Sequence, residues 1–212
     1  MKKENRPQTL RGLTVSAIMG AVGFLLMMLE FPLPFIIPAF VKLDFSELPA
    51  LIAAFAFGPQ YGVLSCLVKN LLHLTVTSSA GVGELSNFVL GAVFTGTAGI
   101  IYKYKNNRFG ALVGSLSGAA AMAVFSVASN YFVVYPAYVV LYGMPLDAII
   151  GLYKAILPAA DSLFKALVIF NLPFTFIKGV LDAALCFAVY KRLSPILKNG
   201  ISANHKPGNE EK

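Results

Sequence analysis

Prolines, glycines and short charged clusters divide this chain into apolar runs of about bilayer length, and that pattern leaves few folds open. A hydrocarbon core about 30 Å thick takes about 20 mostly apolar residues as an α-helix, because nothing inside it can satisfy an unpaired backbone N–H or C=O. The first run covers 13–28 and is closed by Glu30 and the prolines at 32, 34 and 38. A short second run, 46–57, stops at Gly58-Pro59, and a third, 61–76, ends in the polar loop 77–81. The fourth covers 84–102, the fifth 109–134 before Tyr135-Pro136, and the last 173–190. Between them, 136–172 is apolar but broken by prolines, with room for one short helix across the outer face.

Composition decides how these runs are housed. Apolar residues make up 57% of the chain, charged residues only 13%, and the mean hydropathy is +0.73. A soluble domain carries roughly a quarter charged residues, and a small globule needs more polar surface than this to cover itself. A disordered chain and a soluble enzyme are therefore excluded. The expected fold is an all-α membrane protein: one domain of six transmembrane helices over 1–198, with a disordered cytoplasmic tail over 199–212.

The net charge of +7 and the pI near 9.4 would suit nucleic acid in a soluble protein. Here the cations have another explanation, and no nucleic-acid partner is expected. The N-terminal segment, the loop between the fourth and fifth runs and the C-terminal tail together hold 12 of the 17 Lys and Arg residues (4 + 3 + 5). By the positive-inside rule both termini are cytoplasmic. The segment 31–45 is then an extracellular loop, too apolar for a solvated connector. It either lies on the lipid interface or forms a lid over an outward-facing pocket.

Ionisable groups within a span are costly and each calls for a reason. Asn171, Thr175, Lys178 and Asp182 share one helical stripe, at spacings of 4, 3 and 4. Lys178 and Asp182 either neutralise each other or serve a ligand. Lys69 is expected to pair with Asp182 at similar depth, while His73 reads more readily as a hydrogen-bonded packing residue. Glu84 and Asn87 open the fourth run, where Glu84 suits either a helix start or a ligand. Asn130 lies near the outer end of the fifth run and offers both a donor and an acceptor. Glu84, Asn87, Asn130, Asn171, Thr175 and Lys178 thus converge beneath the apolar loop, the usual form of a small-molecule site.

Ser16, Ala17, Gly20, Ala21 and Gly23 form a small-residue face on the first run, and Gly114 and Gly118 a GxxxG in the fifth. Both patterns allow close helix approach. Cys66 and Cys186 read as packing residues. The chain has no GxxxxGK[ST] phosphate loop, no HExxH and no Ser/His or paired-carboxylate constellation. An enzyme is not expected, nor is a metal or other cofactor.

Several stretches together resemble the substrate-binding S-components of energy-coupling factor transporters, most closely the riboflavin-specific ones. They include Lys42-Leu43-Asp44-Phe45-Ser46-Glu47-Leu48-Pro49, Lys69-Asn70, Gly83-Glu84-Leu85-Ser86-Asn87-Phe88, Ser129-Asn130-Tyr131-Phe132 and Phe174-Thr175-Phe176-Ile177-Lys178-Gly179. The resemblance implies six helices, an outward pocket for riboflavin and a lid made by the first extracellular loop. By position, Asn130 and Lys178 match ligand-bonding residues, and Leu43 and Asp44 match the cover. Ala17 and Ala21 match an AxxxA motif that docks on a transmembrane coupling subunit, with two ATPase subunits supplying the energy. An S-component for thiamine, folate or pantothenate is the nearest alternative. An ion-coupled transporter with Lys69, Asp182 and Lys178 as its relay is another.

Overall fold

The computed structural model describes the backbone of residues 6–202 and the side chains of residues 9–189. Four helices among the described residues are long and apolar enough to cross a bilayer: Thr9–Met27, Val82–Tyr104, Arg108–Tyr142 and Leu163–Val189. The first belongs to α1 (Arg6–Met27) and the second is α4 (Val82–Tyr104). Between them lie α2 (Glu47–Phe57) and α3 (Pro59–His73), each too short for a full crossing. They meet at Gly58, whose φ of +116° a side chain would strain, and Pro59 then starts α3 where its missing N–H is no loss.

The short α2 is the centre of the bundle. Its residues Ala50 to Ala54 are all buried, and it packs against α1, α3, α4 and the last long helix. A helix that is apolar all round belongs in the interior. At ~1.5 Å per residue it is only about 16 Å long, roughly half the hydrocarbon thickness.

Glycines set the closest helix contacts. A Cβ on Gly114 would lie 2.7 Å from the Ala98 carbonyl oxygen, and one on Gly118 would lie 2.6 Å from that of Phe94. The GxxxG therefore serves α4 packing on α5 (Arg108–Ser129). The small-residue face of α1 divides in two. Ser16, Gly20 and Gly23 turn inward, with the Ser16 hydroxyl 3.1 Å from the Tyr61 carbonyl of α3. Ala17 and Ala21 stay exposed.

Two expected helix boundaries are corrected. The fifth run does not stop at Tyr135-Pro136 but continues as a π turn, Asn130–Val134, into α6 (Tyr135–Tyr142). The last rod starts before Pro173, as α8 (Leu163–Ala166), a π turn Leu167–Asn171 and α9 (Leu172–Ser202). In each turn an N–H reaches back five residues, Tyr135 to Asn130 and Leu172 to Leu167, and proline comes next. A proline inside an α-helix loses one hydrogen bond and strikes the carbonyl four residues back. The wider turn takes up that conflict.

Within 136–172, between the continuation of the fifth rod in α6 and the start of the last rod in α8, lies one separate short helix, α7 (Leu146–Ile156). The tail expected to be disordered is helical as far as Ser202, and the rest of it lies outside the described residues. The segment between α1 and α2 forms a two-residue antiparallel ribbon of β1 (Phe31–Pro32) and β2 (Lys42–Leu43). From the loop between these strands, Ile37 is fully buried in a cluster with Tyr135, Ile149, Tyr153 and Leu167.

Candidate functional site

A cavity of about 230 Å³ lies among the segment joining α1 to α2, the helices α3 and α4, and the two π-turn rods. Its walls differ in chemistry. From α6 and α9 come Tyr135, Tyr138 and Phe174, with the amides of Asn130 and Asn171 set in the π turns. The lining also carries the carboxylates of Glu84 and Glu47, the hydroxyl of Ser79 and the imidazole of His73. Of the eight residues expected to bind a ligand, Asp44, Glu84, Asn87, Asn130, Asn171, Thr175 and Lys178 line this cavity. Leu43 does not. It is buried in β2, and its contribution is to hold the ribbon beside Asp44.

The charges are paired differently from expectation. Lys69 does not reach Asp182: its Nζ donates to Glu47 Oε1 and to Ser46 Oγ, both at 2.8 Å. Glu47 and Lys69 are 2% and 1% exposed, so this ion pair is fully withdrawn from solvent. Nor does Lys178 form an ion pair in contact with Asp182, though its charge acts on that carboxyl from a distance. Its Nζ donates to Asp44 Oδ2 at 2.8 Å, joining the segment before α2 to α9. Both carboxylate oxygens of Asp182 are buried without a hydrogen-bond partner among the described residues. The relay expected of an ion-coupled transporter is therefore not assembled.

Asp44 is held from two directions. Its Oδ1 accepts the Ser46 N–H at 2.8 Å, which fixes the turn into α2. Burial alone would raise its pKa, but the charges of Lys178 and Lys69, with hydrogen bonds from Lys178 and Ser46, outweigh it and lower it to about 2. Glu84 serves neither as a helix cap alone nor as a free ligand group. Its Oε1 meets His73 Nδ1 at 2.8 Å, and its Oε2 accepts the Ser79 hydroxyl at 2.7 Å. Asn171 Oδ1 accepts the Tyr153 hydroxyl at 2.7 Å, and the Tyr153 oxygen lies 2.5 Å from that of Tyr135.

Glu47, Tyr135 and Tyr138 are wall residues that sequence reasoning missed. Glu47 sits in the quoted Leu43–Pro49 stretch, three residues after Asp44, and that proximity was the available signal. The tyrosines follow a proline-broken helix end, where periodicity gives none.

Helices of bilayer length around a cavity of ion-paired and amide groups define a membrane-embedded small-molecule binder. The family model for the substrate-specific component of ECF transporters matches residues 11–190, and the chain belongs to that family. It is thus a multi-pass membrane protein and a substrate-binding subunit of a transporter, not an enzyme. The chain is 34% identical over 197 residues to the riboflavin transporter RibU of Staphylococcus aureus (strain TCH60), covering 93% of this chain and 97% of that one. It is 32% identical to the riboflavin transporter FmnP of Bacillus subtilis (strain 168), covering 91% and 96%. A solved structure, described as the S component of a bacterial ECF transporter, superposes with a TM-score of 0.70 at 33% identity. That match covers 90% of this chain and 99% of the other.

Proposed function

We propose that this chain captures riboflavin outside the cell and delivers it inward as the S component of an ECF importer. The observation that carries this is a cavity lined both by aromatic rings with amides and by carboxylates with hydroxyls. An isoalloxazine ring is flat and apolar on its faces, with acceptors and a donor along one edge. It suits the wall of Tyr135, Tyr138 and Phe174 with the amides of Asn130 and Asn171. The ribityl chain is a row of hydroxyls and suits the carboxylates and serines of the lining. Riboflavin transporters among the relatives support the same ligand. The test is a titration of the detergent-purified protein with riboflavin, following quenching of flavin fluorescence. Saturable quenching supports the reading. Its absence, with quenching or calorimetric binding by thiamine or pantothenate instead, refutes it.

In this reading the bundle has six membrane-embedded segments: the four long helices cross, and α2 and α3, each shorter than a full crossing, complete their passages with the chain that flanks them. Both termini are cytoplasmic in this reading, which the distribution of Lys and Arg supports. The segment carrying Ile37, Phe40 and Asp44 is the lid, and the Asp44–Lys178 pair is its latch. The depressed pKa of Asp44 fixes the sign of the pH response. The latch contributes fully above the ordinary carboxylate value of 3.8 and is lost as pH falls toward about 2. Spin labels on Ile36→Cys and Leu141→Cys are therefore expected to hold one distance from pH 8 to 5. A distance that lengthens already near pH 6 would sink the latch.

The exposed Ala17 and Ala21 give α1 a shallow face on which a coupling helix can dock. The partners are a transmembrane coupling subunit and two ATPase subunits. Ala17→Phe with Ala21→Phe is expected to leave riboflavin binding within about twofold, because neither residue lines the cavity, and to reduce uptake by cells more than about tenfold. Unchanged uptake would assign that face to lipid.

A further inference from the structure

Asn171 enters the cavity wall with one of its two amide atoms already engaged. Its Oδ1 accepts the hydroxyl of Tyr153, a residue of α7 that is itself fully buried and does not line the cavity. What Asn171 can offer a ligand is therefore the donor Nδ2. The direction of this chain is set at its far end. Each hydroxyl has one proton to give. If Tyr135 donates to Tyr153 and Tyr153 donates to Asn171, both protons are satisfied. Turning the amide over would make Tyr153 donate to Tyr135 instead and leave the Tyr135 proton to find its acceptor in the cavity, whose wall Tyr135 forms. Both rings are buried edge-on against Phe40, and an unmade hydrogen bond there is expensive. With the amide as it stands, both hydroxyl protons of this buried chain are satisfied within the protein before a ligand arrives, which favours one orientation of an amide inside a π turn.

We infer that Tyr153 is a positioning residue that turns the donor side of Asn171 toward the ligand and so selects ring ligands carrying a carbonyl oxygen at that point over those carrying an amino group. The inference rests on the riboflavin reading only for the identity of the ring. It assigns a part in specificity to a helix outside the cavity wall, and it makes the Tyr135 hydroxyl, itself at the wall, the first donor of the hydrogen-bond chain that orients Asn171.

The experiment uses the full chain in detergent. Riboflavin is compared with flavins in which each ring-edge carbonyl, taken in turn, is replaced by an amino group. The wild-type protein is expected to bind at least one amino flavin about tenfold more weakly than riboflavin, roughly the worth of one hydrogen bond. Tyr153→Phe frees the amide to turn. It is expected to weaken riboflavin about tenfold, leave that amino flavin unchanged or tighter, and bring the ratio near one. Tyr135→Phe narrows the same ratio by removing the donor that sets the direction, and it stands in if Tyr153→Phe does not survive purification. Asn171→Ala should abolish the preference. Equal weakening of both ligands by Tyr153→Phe would make its role merely structural and overturn the inference. So would a wild-type protein that shows no preference. If the wild-type protein binds no flavin at all, the riboflavin reading falls with it. Tight riboflavin binding with a ratio unmoved by Tyr153→Phe overturns this inference alone.

Discussion

Lys178→Ala is expected to weaken riboflavin binding by two to three orders of magnitude. The lysine lines the cavity and its Nζ holds Asp44 at 2.8 Å, so one substitution removes a wall donor and releases the latch. It also leaves the Asp44 carboxylate buried without its principal counter-charge. Removing one partner of a buried ion pair costs about 3–5 kcal/mol, and each 1.4 kcal/mol is about a factor of ten in affinity. The cost falls on the closed, ligand-bound state, because an open segment returns Asp44 to water. Fluorescence-quenching titrations of the wild-type protein and of Lys178→Ala measure the effect directly. Asp44→Asn with Lys178→Met tests the cause: it removes both charges and should recover part of the loss. A single mutant within threefold of wild type would mean that Lys178 serves neither ligand nor latch.

Lys69→Met acts on stability. Lys69 and Glu47 are buried against each other at the centre of the bundle, where α3 meets the start of α2. Losing the lysine strands Glu47 beside the cavity, with the thiol of Cys66 at 3.6 Å as its remaining partner. The expected loss is about 3–5 kcal/mol, a fall on the order of 10 °C in apparent melting temperature for a chain of this size. Glu47→Leu with Lys69→Met replaces the pair by apolar groups and should recover most of it, because desolvating two charges offsets much of their attraction. Thermal unfolding in detergent, followed by size-exclusion chromatography, distinguishes the two. A single mutant as stable as wild type would show that water reaches the pair.

Wherever an apolar run ended on a turn with its own chemistry, the sequence was readable. Gly58-Pro59 marks the break between α2 and α3 because only that backbone angle and that missing N–H permit it. The same logic fails at Pro136 and Pro173, where a π turn carries the helix through a residue that ordinarily stops it. Lys69 was matched to Asp182 by counting depth along antiparallel helices of full length. The lysine instead meets the first residue of α2, where Glu47 lies against it. Asn171, Thr175 and Lys178 were legible because their spacing survives on one rod. The roles of Ile37, Tyr135 and Tyr153 were not, since they depend on how a loop and an outer helix fold back over the bundle.

The paired π turns bear on how the length of this chain can change. In an α-helix each inserted or deleted residue rotates everything beyond it by about 100° and turns packed faces outward. A π turn already holds an extra residue, so a gain or loss within it is absorbed locally and the far end keeps its phase. In both long rods such a joint sits where the helix lines the cavity, at Asn130–Val134 and Leu167–Asn171. The lining can therefore be reshaped by single-residue insertion or deletion while the glycine-packed scaffold stays in register. That opens a path between cargoes of different outline that point substitution alone does not provide.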